Sequence, residues 1–402
     1  MITNLALAIS LLFFSSCSHL IELIDNDLLE KEAIPYKKVT LKPYCPNNKN
    51  IQIFSQSQES QNSFKNFIES QKFTFIEKVI IFIFVQMNLN PDISTPYSNL
   101  QIVLNDQDYL SFTQSLGEAS IFDSMSTLLK RKPSNYSLRE LARIYDKNYP
   151  SNFIVSKRLA HYLSNNKLSI SSNKQLKKLY IRGDETLREK ERIFKQGIAK
   201  LIKRKNTYKY KPKKLFSNQS VTCNFDIQKY KDSRFEIMKK ELTSNIFGIK
   251  YGKDSALIVT SNNYGTIKSL SDTIYFKNQT TKAEASICMS KTRENTLWLI
   301  SSNSRDPSQI LSNLITRNIF QAKTKDKVHS ILNTPRLLRL KNPSRLIFES
   351  ERSSRRELEV LHSFNTPIYS QYSLGIVSAY FEGKKASSFI NDNRSSASLT
   401  CR

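Results

Sequence analysis

Glycine and histidine are scarce in this chain of 402 residues, with 8 Gly and 4 His. So few glycines count against Gly-rich loops that cradle phosphates, and so few histidines against a His-based metal centre. No G-x-S-x-G elbow, H-E-x-x-H pair or Walker loop occurs. Carboxylates are the minority charge, 35 Asp and Glu against 61 Lys and Arg, for a net +26 with histidine neutral. Long apolar runs are also missing. The strongest internal one, Val79 to Val85, is bounded by Glu77, Lys78 and Gln86. It is too short to span a bilayer and reads as a buried core element. What remains, 39% hydrophobic and 24% charged, excludes a multi-span membrane protein, a collagen and a disulfide-dense mini-protein, and allows two globular units.

The N-terminus is more specific. Leu5 to Phe14 is uncharged and almost wholly apolar, and Ser15-Ser16-Cys17-Ser18 follows. Ten helical residues reach about 15 Å, half of a ~30 Å hydrocarbon core, so the segment reads as an export signal over residues 1–16. Small residues just before Cys17 resemble the lipobox of bacterial lipoproteins. The resemblance covers about the first 18 residues. It implies cleavage before Cys17, lipid on its thiol and new amino group, and a membrane partner through that anchor. Two features depart from the pattern: Phe14 stands where Leu is usual, and no Lys or Arg precedes Leu5. Ser18 rather than Asp implies sorting to the outer rather than the inner membrane.

Four further cysteines, Cys45, Cys223, Cys288 and Cys401, make an even set that fits two disulfides in an exported chain. Cys223 and Cys288 lie in strand-like runs and pair first, which leaves Cys45 with Cys401. No two cysteines share metal-ligand spacing.

Residues 17–50, broken by Pro35, Pro43, Pro46 and an Asn-rich run, read as a tether. Helical periodicity then dominates residues 51–202, which read as a mostly helical domain. A basic connector covers 203–214. Residues 215–402 read as an α/β domain, with antiparallel strands over 221–301 and a strand–helix alternation over 296–369 that suggests a βαβαβ-like section with parallel pairing. The fold class is therefore α+β.

Two strand-to-helix loops are the candidate site. If the strands at 297–300 and 345–349 are parallel neighbours, their C-terminal ends share a rim, where ligands of open α/β sheets bind and helix N-termini favour anions. The first loop offers Ser302, Ser304, Arg305 and Asp306. The second offers Glu349, Arg352, Ser353 and Ser354. Helix capping accounts for most of these residues without any ligand. No catalytic residue, metal or cofactor is assigned.

The charge is uneven: residues 157–214 hold 19 Lys and Arg against four acids. In an exported protein its partner is an anionic envelope polymer or lipid headgroup rather than nucleic acid. The sequence thus describes a lipid-anchored envelope protein acting as a binding or structural module. It leans away from an enzyme, and its alternative is an envelope hydrolase of a phosphate-containing or glycan substrate at the rim of loops 301–306 and 349–355.

Overall fold

The computed structural model describes residues 44–402 apart from 47–48, 56–57, 97, 105–107, 113–120, 150–151, 195–196, 203–220, 228–241, 264–266, 270–275, 279–284, 303, 305, 341–344, 364–367, 385–386 and 396. The lipobox, most of the tether and the basic connector lie outside the described residues.

Strand β1 (Ile51–Ser55) leads into helices α1 (Gln58–Ile68) and α2 (Phe75–Leu89). Strands β2 (Asn99–Leu104) and β3 (Asp108–Phe112) follow, then helices α3 (Ile121–Arg131), α4 (Leu138–Asn148), α5 (Lys157–Asn165), α6 (Lys167–Ser171) and α7 (Lys174–Tyr180). Strands β4 (Val221–Cys223), β5 (Leu242–Tyr251), β6 (Asp254–Asn263), β7 (Ser286–Lys291) and β8 (Asn295–Ser302) precede helices α8 (Pro307–Thr316) and α9 (Lys325–Leu332). The chain ends with β9 (Leu337–Leu340), β10 (Arg345–Phe348), α10 (Arg355–His362), β11 (Ile368–Ser370), β12 (Ile376–Gly383), β13 (Ser387–Ile390) and β14 (Ser398–Cys401).

Two antiparallel sheets stack face to face. One has the order β14-β1-β5-β6-β2-β3, the other β13-β12-β8-β7-β4. Alternate side chains of both meet in a shared layer that includes Phe54, Val103, Ile246, Leu257 and Val259 from the first, and Ile287, Trp298, Ile300, Tyr380 and Phe389 from the second. The opposite face of the first sheet packs Phe247, Ile249, Ile258 and Ile102 against α1 and α2. The opposite face of the second packs Leu297, Leu299, Val377 and Ala379 against α8 and α9. The result is a helix–sheet–sheet–helix sandwich of the α+β class.

Helix α2 is the inner wall of the first helical layer. Every residue from Ile76 to Leu89 is buried, so the all-round apolar run Val79–Val85 is a core helix. Thr74 and Glu77 close a capping box at its start, and Glu77 also accepts from Asn135 and Tyr136 backbone amides. No helix among the described residues is long and apolar enough to cross a membrane.

Both disulfides form as the cysteine pattern suggests, Cys45 with Cys401 and Cys223 with Cys288. Cys223 and Cys288 are direct partners across β4 and β7. The end of the tether segment docks as well, through a Tyr44–Ile390 bridge.

Two expectations are corrected. Residues 51–202 are not a separate helical domain, because β1, β2 and β3 pair into the same sheet as β5 and β6. The physical reason is that α1 and α2 bury their apolar faces on strands supplied by the second half. Nor is β8 a parallel neighbour of β10: β8 pairs antiparallel with β7 and β12, whereas β10 sits in a small sheet of order β9-β10-β11. Among the described residues, parallel pairing occurs only between β10 and β11, joined over α10.

Candidate active site

At one end of the sandwich the layer between the sheets turns from apolar to polar. Strand β5 begins there with Leu242, Thr243 and Ser244. Its register with β6 sets Thr243 opposite Asn262 and Ser244 opposite Ser261, and β6 in turn sets Ser261 opposite Asn99. Ile246 faces the other sheet, so Ser244, two residues earlier, faces it too. By the same alternation Trp298 and Ile300 carry Ser302, the last residue of β8, onto the facing surface. Ser244, Ser261 and Ser302 are all buried. The two ends coincide because Gln101, which shares a cross-strand row with Val259, hydrogen-bonds both backbone groups of Ala285, just ahead of β7. Ala285 lies on the β7 side of Ser302, one step beyond the Ser286–Ser301 pair.

Behind β5, on its helical face, Asn245 donates to Gln86 Oε1 at 2.9 Å and to Ser94 Oγ at 3.3 Å, and Ser94 pairs with Thr260 at 2.7 Å. These contacts fix the first residues of β5 against α2 and the segment after it. Ser302 Oγ has no hydrogen-bond partner among the described residues. Burying a hydroxyl that way costs free energy unless something arrives to bond it.

Of the sequence-predicted site residues, Ser302, Ser304 and Asp306 belong to this end. Ser304 is buried and accepts from the Asp306 amide. Asp306 caps α8, accepting from the Ser308 and Gln309 amides and from the Gln309 side chain. A carboxylate thus already fills the helix N-terminus that was expected to attract an anion. Arg305 lies outside the described residues.

The second loop does something else. Glu349 is fully buried. It accepts from Arg394 Nε at 2.7 Å and from Arg394 Nη2, and from the Arg336 and Leu374 amides at 3.0 and 2.7 Å. Arg394 and Arg336 both pair with buried Asp392, and their Nη groups also reach the carbonyls of Leu332, Thr334 and Gly375. Burial works against charge on Asp392, but the two guanidiniums outweigh it and hold its carboxyl down to about 2. Two cations and two anions closed on one another form a pin that fastens 391–394 to β9, β10 and β12. Ser354 caps α10 in a capping box with Glu357, Ser353 donates to the Glu349 carbonyl, and Arg352 is half-buried. These residues hold local structure and do not extend the polar end built around Ser302.

Sequence reasoning missed Thr243 and Ser244. The only signal is a Thr-Ser pair heading an apolar alternation that begins at Ile246. Among the described residues no cluster of His, Cys, Asp or Glu is arranged to hold a metal ion.

No protein-family model and no curated protein matches the chain. Solved structures do. Cephalosporin acylase from Bacillus halodurans aligns with a TM-score of 0.64 at 9% identity, over 91% of this chain and 98% of its own. Two structures of LmbA2991 align with a TM-score of 0.62 at 8% and 7% identity, over 90% of this chain and 100% of theirs. At under 10% identity the likeness is one of fold. This overturns the leaning away from an enzyme: the paired sheets and both helical layers are matched by a complete acylase, which a tethered structural module gives no reason to expect.

Proposed function

We propose that the chain is an amide hydrolase whose nucleophile is Thr243. One placement carries the reading: Thr243 is the second residue of a central strand, at the polar end of a sandwich shared with an acylase. One LmbA2991 structure is of a variant with a threonine replaced by alanine, which directs attention to that residue type. A threonine is a weak nucleophile unless a base takes its proton, and its own α-amine serves once it is a chain terminus. In this reading Thr243 Oγ attacks the Leu242 carbonyl carbon, the peptide C–N bond breaks, and water hydrolyses the resulting ester to a Leu242 carboxylate and a free Thr243 amine. That amine then accepts the hydroxyl proton as Oγ attacks a substrate amide and passes it to the leaving amine, and a second water releases the acid. An amide is favoured over the phosphate substrate of the earlier alternative, because Asp306 already fills the helix N-terminus beside the site.

The test is mass spectrometry and N-terminal sequencing of the purified full chain. The expected result is two fragments, the second starting at Thr243, with Thr243→Ala left intact and Thr243→Ser still cut. An uncut wild type that also fails to hydrolyse a panel of N-acyl p-nitroanilides overturns the proposal.

Export and lipid attachment at Cys17 belong to the same reading, and two disulfides support an oxidising compartment. Radiolabelled palmitate should label the wild type and not Cys17→Ser. Equal labelling of both excludes the anchor.

A further inference from the structure

Between Asp146 and Asp184 the chain carries eight Lys and Arg and no carboxylate. This stretch holds α5, α6 and α7. In α7, Leu176 and Tyr180 are buried, while Lys174, Lys177 and Lys178 are exposed at the i, i+3 and i+4 spacing that shares one helical face. Helix α6 packs beside α7, with Ile170 buried and Lys167 exposed. None of these four lysines makes an ion pair among the described residues. Beside Lys167 stands Leu168, 87% exposed, the most exposed of the large apolar side chains described.

We propose that the α6–α7 face docks on an anionic phospholipid bilayer, with the lysines at the headgroups and Leu168 entering the interface. Unpaired lysines on one face are attracted to anionic lipid by about fivefold in affinity each. An aliphatic side chain held out in water gains by entering the headgroup–acyl boundary. A nucleic acid is the poorer partner, because single strands are held by exposed aromatic side chains and here Tyr149, Phe153, Tyr162 and Tyr180 are all buried. The surface is independent of the chemistry assigned to Thr243, and it would turn the body of the protein toward the membrane.

Co-sedimentation of the full chain with phosphatidylcholine vesicles, with and without phosphatidylglycerol, tests this. The apolar N-terminus contributes equally to every variant, so the comparison isolates the face. Wild type should prefer the anionic vesicles. The K174Q/K177Q/K178Q variant should lose about a hundredfold of that preference, and L168S, at unchanged charge, about tenfold. Equal binding to both vesicle types, or lysine variants that bind as wild type does, overturns the proposal. So does an unaffected L168S whose vesicle binding is competed away by single-stranded DNA, which would assign the face to nucleic acid.

Discussion

Lys78 shows how far a single residue can depart from what its sequence context suggests. It reads as a polar flank of the apolar run, yet it is only 1% exposed, and its Nζ lies 3.3 Å from the centre of the Tyr251 ring. Burial pushes its amine down to about 8 from the usual 10.5, and the ring face offsets part of the cost of keeping it charged. The unfolded chain therefore binds one more proton than the folded one between pH 8 and 10.5. Stability contributed at this site rises across that window as the folded amine sheds its charge ahead of the unfolded one. Denaturant midpoints measured from pH 7 to 10.5 should climb more steeply for wild type than for Lys78→Met, and Lys78→Met should be the more stable of the two at pH 7. Parallel profiles would mean that the amine reaches water. Glu349 makes the complementary point. Sequence placed it on a ligand rim, but three other buried charges claim it. Nothing local could announce that, since Arg336, Asp392 and Arg394 come from distant positions.

Elements were legible where they are self-sufficient and illegible where they lean on partners. The α8 start at Asp306-Pro307, the α10 capping box and the Tyr251–Asp254 hairpin were readable because capping and turn chemistry are local. Helix α7 ends at Tyr180, although basic, helix-compatible residues run on to about 205, because the chain turns there into a short hairpin at 181–186. Strand β5 starts four residues before its apolar alternation does, and those residues carry the proposed nucleophile. They stay extended because ladder pairing with β6 runs out to Asn263, whatever their own preference. Further along β5, Gly248 marks where the two sheets approach most demandingly: a Cβ there would stand 2.5 Å from the Phe389 ring. Phe389 is buried, stacked on Phe54 and tilted against Tyr380, so its ring has packed neighbours on both sides. Gly248→Ala should therefore lower stability by about 1–3 kcal/mol through overpacking, measured by urea unfolding. A neutral result would show that the sheets can separate at this point without cost.

At the scale of the whole molecule, the sandwich is woven so that cutting it at Leu242–Thr243 leaves neither half free. Strand β1, from before that bond, lies between β14 and β5, both from after it. Strands β2 and β3 close the other edge of the same sheet, and β4 closes the second. This interleaving is why the two textures of the sequence, helical then β-rich, misled about domains: texture reports local period, whereas the sheet is assembled from both ends. Each disulfide also joins residues on opposite sides of the bond, Cys45 with Cys401 and Cys223 with Cys288. Two consequences can be measured. Denatured without reductant, the processed protein should run as one species, and with reductant as two. Replacing one pair, Cys45 and Cys401 by Ser, should leave the pieces travelling together through the other while lowering stability by about 2–5 kcal/mol. Replacing both pairs should let them part in denaturant alone. Two species from processed wild type without reductant would mean that the cut lies outside the span of both bridges, and so not at Thr243. A single species in every condition would mean that no cut is made and that Thr243 never gains the free amine its assigned role requires.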